Sequence, residues 1–202
     1  MIRLEGYIGE EPATAAAVSA ELSALNGGAA ELVINSGGGI ATEGAAIHAE
    51  VSAYSGRTMI YIRGIAASAA SLAAMAADEI VIDPASLMMI HDPAAMTMGT
   101  AEDHRSSADV LDTMSQAYAA IYARRTGNPV VRVREWMAAE TWLTAEEAVA
   151  LGFADRVGER QAEPIAAFNY RAYAQAPAAL AALAQAEGWA APTPDHATET
   201  PA

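Results

Sequence analysis

Residues 2–8, IRLEGYI, alternate apolar and polar side chains, the two-residue period of a strand with one face in a core. Residues 12–25 carry helical spacing, and Asn26-Gly27-Gly28 supplies a stop. ELVIN, 31–35, is a short strand of the buried type that runs directly into SGGG. Thr42 and Glu43 open a second helix that reaches about Tyr54, and TMIYI, 58–62, is the next strand. The rhythm of strand, glycine-rich turn, helix and strand predicts a parallel sheet covered by helices. It continues with a helix over 67–77, strands over 79–83 and 87–91, and a long amphipathic helix from Thr100 to about Arg125 that Gly127-Asn128-Pro129 ends. A shorter helix runs to Ala139. The capping box Thr144-Ala145-Glu146-Glu147 then opens another, and FADRVG, 153–158, reads as the closing strand.

Beyond Arg160 the pattern fades into Ala, Pro, Gln and Thr, where only AALAALAQAEGW has any helical character. The chain therefore divides into a domain over 1–160 and an Ala/Pro-rich, flexible tail over 161–202, with no internal repeat. No window approaches the roughly 18 apolar residues of a membrane span, and MIRLEGYIGE has no basic region followed by an apolar one, so the expected location is the cytoplasm.

Composition removes whole classes of chemistry. With no Cys, there are no disulfides, thiolate metal sites or cysteine nucleophiles. All eleven basic residues are Arg, which excludes Ser-Lys dyads, Schiff bases and the lysine of a phosphate-binding loop. A net charge of -14 argues against nucleic-acid partners, which require basic patches. The apolar share, 53%, comes largely from Ala, so helices are expected to pack through small side chains.

Three windows remain as candidates. Asn35-Ser36-Gly37-Gly38-Gly39 follows a strand, and its glycines free the backbone either for a plain turn or for N–H groups aimed into a cleft. GIAASAAS, 64–71, sets serines where a strand becomes a helix. That placement suits a nucleophile beside helix N–H groups, and the small neighbours suit close packing equally well. A nucleophilic serine needs a base, and only His48, His91, His104 and His196 are available. His91 ends an apolar strand at a sheet edge. His48 falls within a helix, His104 at a polar helix start and His196 in the tail. Asp92 points to the face opposite its neighbour, which removes it as a partner for His91. Among the carboxylates Glu140 stands out, in a short link beside Trp142 and Leu143.

Together the windows resemble the Clp protease family. INSGGG is similar to that family's INSPGG, GIAASAAS to G-x-AAS-M-G/A, SLMMIHDP to S-x-IMIHQP, and TWLTAEEAVALGFADRV to xFLSAxEAxxYGLIDxV, in order over residues 2–158. The resemblance implies an α/β, ClpP/crotonase-like fold of repeated β-β-α units with the helix from Thr100 as a handle. It implies a serine endopeptidase acting on protein or peptide substrates, with Ser68 as nucleophile, His91 as general base and backbone N–H groups of Gly39 and Ala69 as oxyanion hole. Ser71 becomes a packing residue. The family's acid, an Asp, falls on Glu140.

A ring-shaped homo-oligomer is implied, with no metal or organic cofactor and no membrane partner. The start of the chain close to the first strand, Gly37 in place of Pro, the ETW sequence and the Ala/Pro-rich tail resemble the phage and prophage head maturation branch. That branch trims capsid or scaffold proteins in the host cytoplasm or the prohead, without an ATPase unfoldase. The alternatives are a general proteolytic subunit fed by an unfoldase, a catalytically silent ring subunit, and a crotonase-like protein binding acyl-CoA.

Overall fold

The computed structural model describes residues 1–160 and 163–189. Seven strands form one sheet: β1 (Ile2–Ile8), β2 (Ala30–Gly39), β3 (Thr58–Ala67), β4 (Glu79–Ile82), β5 (Leu87–Ile90), β6 (Thr141–Thr144) and β7 (Arg156–Val157). The parallel path runs β1-β2-β3-β4-β7. β3 is shared. Its first half, Met59 to Ile62, pairs with β4, and its second half, Ile65 to Ala67, pairs with β5, which takes β6 antiparallel on its other side.

The helices are α1 (Ala15–Ala24), α2 (Ala41–Ala53), α3 (Ala69–Ala74), α4 (Ala101–Thr126), α5 (Val130–Ala138), α6 (Ala145–Ala150) and α7 (Ala178–Ala186). No described helix is long and apolar enough to cross a membrane. α4 begins in a capping box, Thr100 with Asp103, and ends at Gly127 in the left-handed conformation, so both sets of orphaned backbone groups find partners. The expected capping box at Thr144 and Glu147 is present and opens α6.

β2 and β3 are each five residues longer than their apolar runs suggest, because SGGG and RGIAA remain extended. The strands do so at register shifts: between Glu5 and Tyr7 on β1, and between Ile34 and Ser36 on β2. These shifts bend the strand ends and turn the glycines toward the end of β5. α3 accordingly starts at Ala69 rather than at 67, which leaves Ser68 at the corner. TWLT, expected as a link, is β6, and the closing strand shrinks to Arg156 and Val157.

Two cores flank the sheet. The larger lies under α1 to α6 and includes Leu4, Ile34, Ile62, Met88, Tyr122 and Phe153. Residues alternating with these on β3 and β5, Ile65, Ala67 and Met89, face the other side and are covered by Tyr170, Leu180 and Ala184. Residues 163–189 are thus packed onto the sheet, in contrast to the flexible tail expected there. Composition misleads here because four aromatics, Phe168, Tyr170, Tyr173 and Trp189, are diluted among alanines and prolines. They still join the second core, where Tyr170 is fully buried.

Polar contacts fasten the same segment. The buried Asn35 side chain donates to the Pro164 carbonyl at 2.9 Å and accepts from Ala166 N–H at 3.0 Å. Arg63 stands 3.7 Å from both Asp83 and Glu163.

Candidate active site

Ser68 sits between β3 and α3 at φ 55, ψ -122, a backbone conformation that a residue with a Cβ rarely adopts. Its N–H donates to the Met89 carbonyl at 2.9 Å and its own carbonyl accepts from Leu72 N–H, so the corner is held from the strand and the helix alike. The side chain makes no capping bond. Instead Ser68 Oγ lies 2.7 Å from His91 Nε2. β5 ends at Ile90, so the pairing of β5 with the far half of β3 is what delivers the imidazole to the serine.

His91 is half-buried, and burial is the main cause that pulls its pKa below the usual imidazole value. The charges of Glu140 and Asp92 oppose that shift. Burial thus favours the neutral ring, the form able to take a proton. Asp92 is committed elsewhere, as expected from strand alternation: its carboxylate accepts from the Ser115 hydroxyl on α4. The remaining histidines follow their plain readings. His48 is buried within α2, and His104 bonds Thr97 Oγ1 at 2.7 Å. His196 lies outside the described residues.

The glycine loop reaches the same groove. Ile40 N–H donates to the Ile8 carbonyl at 2.8 Å, which ties the end of the loop to β1. A Cβ at Gly39 would fall 2.1 Å from the Ile8 carbonyl oxygen, which makes glycine obligatory there. Ala69 is the first residue of α3, so its N–H has no partner within the helix. Gly39, Ser68 and His91 line one groove of about 670 Å³ together with Ile40, Phe168 and Tyr173. Ser71 is buried and bonds the carbonyls of Ser68 and Met89, each at 2.8 Å, and the Tyr122 hydroxyl at 2.9 Å, so it packs α3 against β5 and α4.

Glu140, the expected third member, stands at the same groove but spends its carboxylate differently. Its oxygens accept from Ala174 N–H at 2.8 Å, Gln175 N–H at 2.7 Å and the Trp142 indole N–H at 3.2 Å. Among the described residues no carboxylate is hydrogen-bonded to His91. The influence of Glu140 on the imidazole is through its charge.

Sequence reading missed Phe168 and Tyr173. Phe168 covers Gly37 so closely that a Cβ there would lie 2.4 Å from the ring. Tyr173 donates to the Gly37 carbonyl at 2.7 Å and meets the His91 ring edge-on, with centroids 5.2 Å apart. The signal that pointed to them was Gly37 itself, standing where the resembled motif has Pro. Among the described residues no group of three or more His, Asp or Glu side chains is arranged to hold a metal ion.

The model of the family described as Clp protease matches residues 2–161. The chain belongs to the Clp protease family. Members of this family are serine peptidases. The chain is 34% identical over 128 residues to an ATP-dependent Clp protease proteolytic subunit 2 of Tropheryma whipplei (strain Twist), a match covering 62% of this chain and 71% of the relative. It is 34% identical over 129 residues to the proteolytic subunit 2 of Chlamydia muridarum (strain MoPn / Nigg), covering 63% and 64% respectively. Among solved structures a ClpP1 mutant from Listeria monocytogenes superposes with a TM-score of 0.71 at 24% identity, covering 79% of this chain and 91% of that one. The architecture is therefore the α/β ClpP-like fold.

Proposed function

We propose that this Clp-family chain is an active serine endopeptidase in which Ser68 is the nucleophile and His91 the general base. The observation that carries the reading is the 2.7 Å contact between Ser68 Oγ and the Nε2 of a half-buried imidazole whose pKa is held down. His91 takes the hydroxyl proton as Ser68 Oγ attacks a peptide carbonyl, and the tetrahedral oxyanion accepts from the N–H groups of Gly39 and Ala69. His91 then returns the proton to the departing amine. Water, activated by the same imidazole, hydrolyses the acyl-enzyme and restores Ser68. Glu140 supplies negative charge near the imidazolium that forms in each half-reaction.

The substrate assignment extends this reading. Gly37, the ETW sequence and the Ala/Pro-rich segment after residue 160 support a head maturation peptidase that trims capsid or scaffold proteins in the bacterial cytoplasm or the prohead. A ring-shaped homo-oligomer stacking through α4 encloses the sites in this reading. The names of the relatives support the competing assignment, a general proteolytic subunit fed by an ATP-dependent unfoldase.

The test is turnover of an unfolded protein substrate. Wild type is expected to cleave it without ATP, and Ser68→Ala to lose at least about 10³-fold while assembling to the same mass by light scattering. Turnover retained by Ser68→Ala would overturn the nucleophile. Cleavage that appears only with an added ATPase would favour the general subunit over the maturation enzyme.

A further inference from the structure

A catalytic imidazole has to be held so that one nitrogen stays on the serine, and in the simplest triad a carboxylate does this through the other nitrogen. Here the carboxylate at the site is taken up by three N–H donors, two of which belong to the segment that follows the family-matched region. The residue against the imidazole is Tyr173, whose ring stands at 79° to that of His91. Tyr173 is itself fixed on every side. It stacks on Phe168 at 5.6 Å, its ring meets Trp142 at 5.8 Å, its hydroxyl bonds Gly37, and the next two N–H groups of the chain grip Glu140. The hydroxyl also sits beside the nucleophile, because a Cβ built at Gly38 would lie 2.8 Å from it and 2.9 Å from Ser68 Cβ.

We infer that Tyr173 is a positioning residue of the active centre: its ring holds the His91 imidazole on Ser68, with Glu140 acting as the clamp that keeps Tyr173 in place. The inference rests on the peptidase reading above. An edge-to-face aromatic contact is comparable in strength to one ordinary hydrogen bond, so it is adequate to orient a ring already held at Nε2. It also keeps water from the imidazole. The ionisable groups facing His91 are Glu140 from the turn before β6, Asp92 next to it in the chain, Tyr173 itself, and Tyr118 and Tyr122 from α4. Removing the Tyr173 ring hydrates the imidazole and lets its pKa rise toward the ordinary value, whereas a structural role elsewhere would leave that titration alone.

The experiment measures the rate at which a fluorophosphonate labels Ser68, from pH 5 to pH 8, in wild type, Tyr173→Phe and Tyr173→Ala, with assembly checked by light scattering. Tyr173→Phe keeps the ring and should label within about threefold of wild type, with the acidic limb unmoved. Tyr173→Ala should label at least about tenfold more slowly, with the limb displaced to higher pH, because a misplaced base costs rate steeply. An assembled Tyr173→Ala protein with wild-type rate and limb would overturn the inference. So would a Tyr173→Phe protein as slow as Tyr173→Ala. If wild type itself fails to label, it is the peptidase reading that falls, and the inference with it.

Discussion

Ser68 occupies a strained corner because three separate requirements meet there: β3 must end, α3 must begin, and the hydroxyl must reach across to β5. Its φ of 55 is retained by the bond its N–H donates to the Met89 carbonyl and the bond its carbonyl accepts from Leu72 N–H. His91 is set by the same junction, and its titration follows from its surroundings. Burial, the largest cause, lowers its pKa from the ordinary value of 6.5, which favours the neutral form that the proposed base requires. The acidic limb of kcat/KM should therefore fall below pH 6.5. A limb at or above that value would show that the charges of Glu140 and Asp92 outweigh burial. His91 was legible as the end of an apolar run at a predicted strand edge, whereas Ser68 stood at a predicted helix start where packing served equally well, and only the resemblance to the family's motifs singled it out. The hydrogen bonds of Glu140 were not legible, because two of its three partners are backbone N–H groups more than thirty residues away, and no local pattern records them.

At the scale of elements, the most informative departure is the third residue of NSGGG. Gly37 is buried beneath Phe168, and any Cβ would enter the space of that ring. Gly37→Ala should destabilise the protein by about 1–3 kcal/mol, as overpacking does, measured from the denaturant midpoint. Adding Phe168→Ala should make the glycine substitution nearly silent, since the two sites share one volume. A Gly37→Ala cost that persists without Phe168 would mean that the loop requires glycine for backbone reasons alone. Periodicity located the other strands and the helices but neither β6 nor the extended ends of β2 and β3. Those ends are glycine- and alanine-rich, and what keeps them straight is pairing with β1 and β5 rather than any preference of their own.

On the scale of the whole molecule, the sheet carries a core on each face, and the second depends on residues after 160. The sequence reading stopped at that boundary because composition there has the character of a linker. Four aromatics, an asparagine on β2 and a glutamate before β6 nonetheless bind the segment across the groove that holds Ser68. The fold, Ser68 and His91 thus belong to the family-matched region, while Phe168 and Tyr173, beyond it, shape the groove.

In the proposed mechanism the junction of β3, α3 and β5 activates Ser68. Mass spectrometry of the intact protein after treatment with a fluorophosphonate tests it most directly, comparing wild type with Ser68→Ala and His91→Ala. Wild type should carry a single adduct that both variants lose. An assembled wild-type protein that takes up no probe, or an adduct that survives Ser68→Ala, would contradict it.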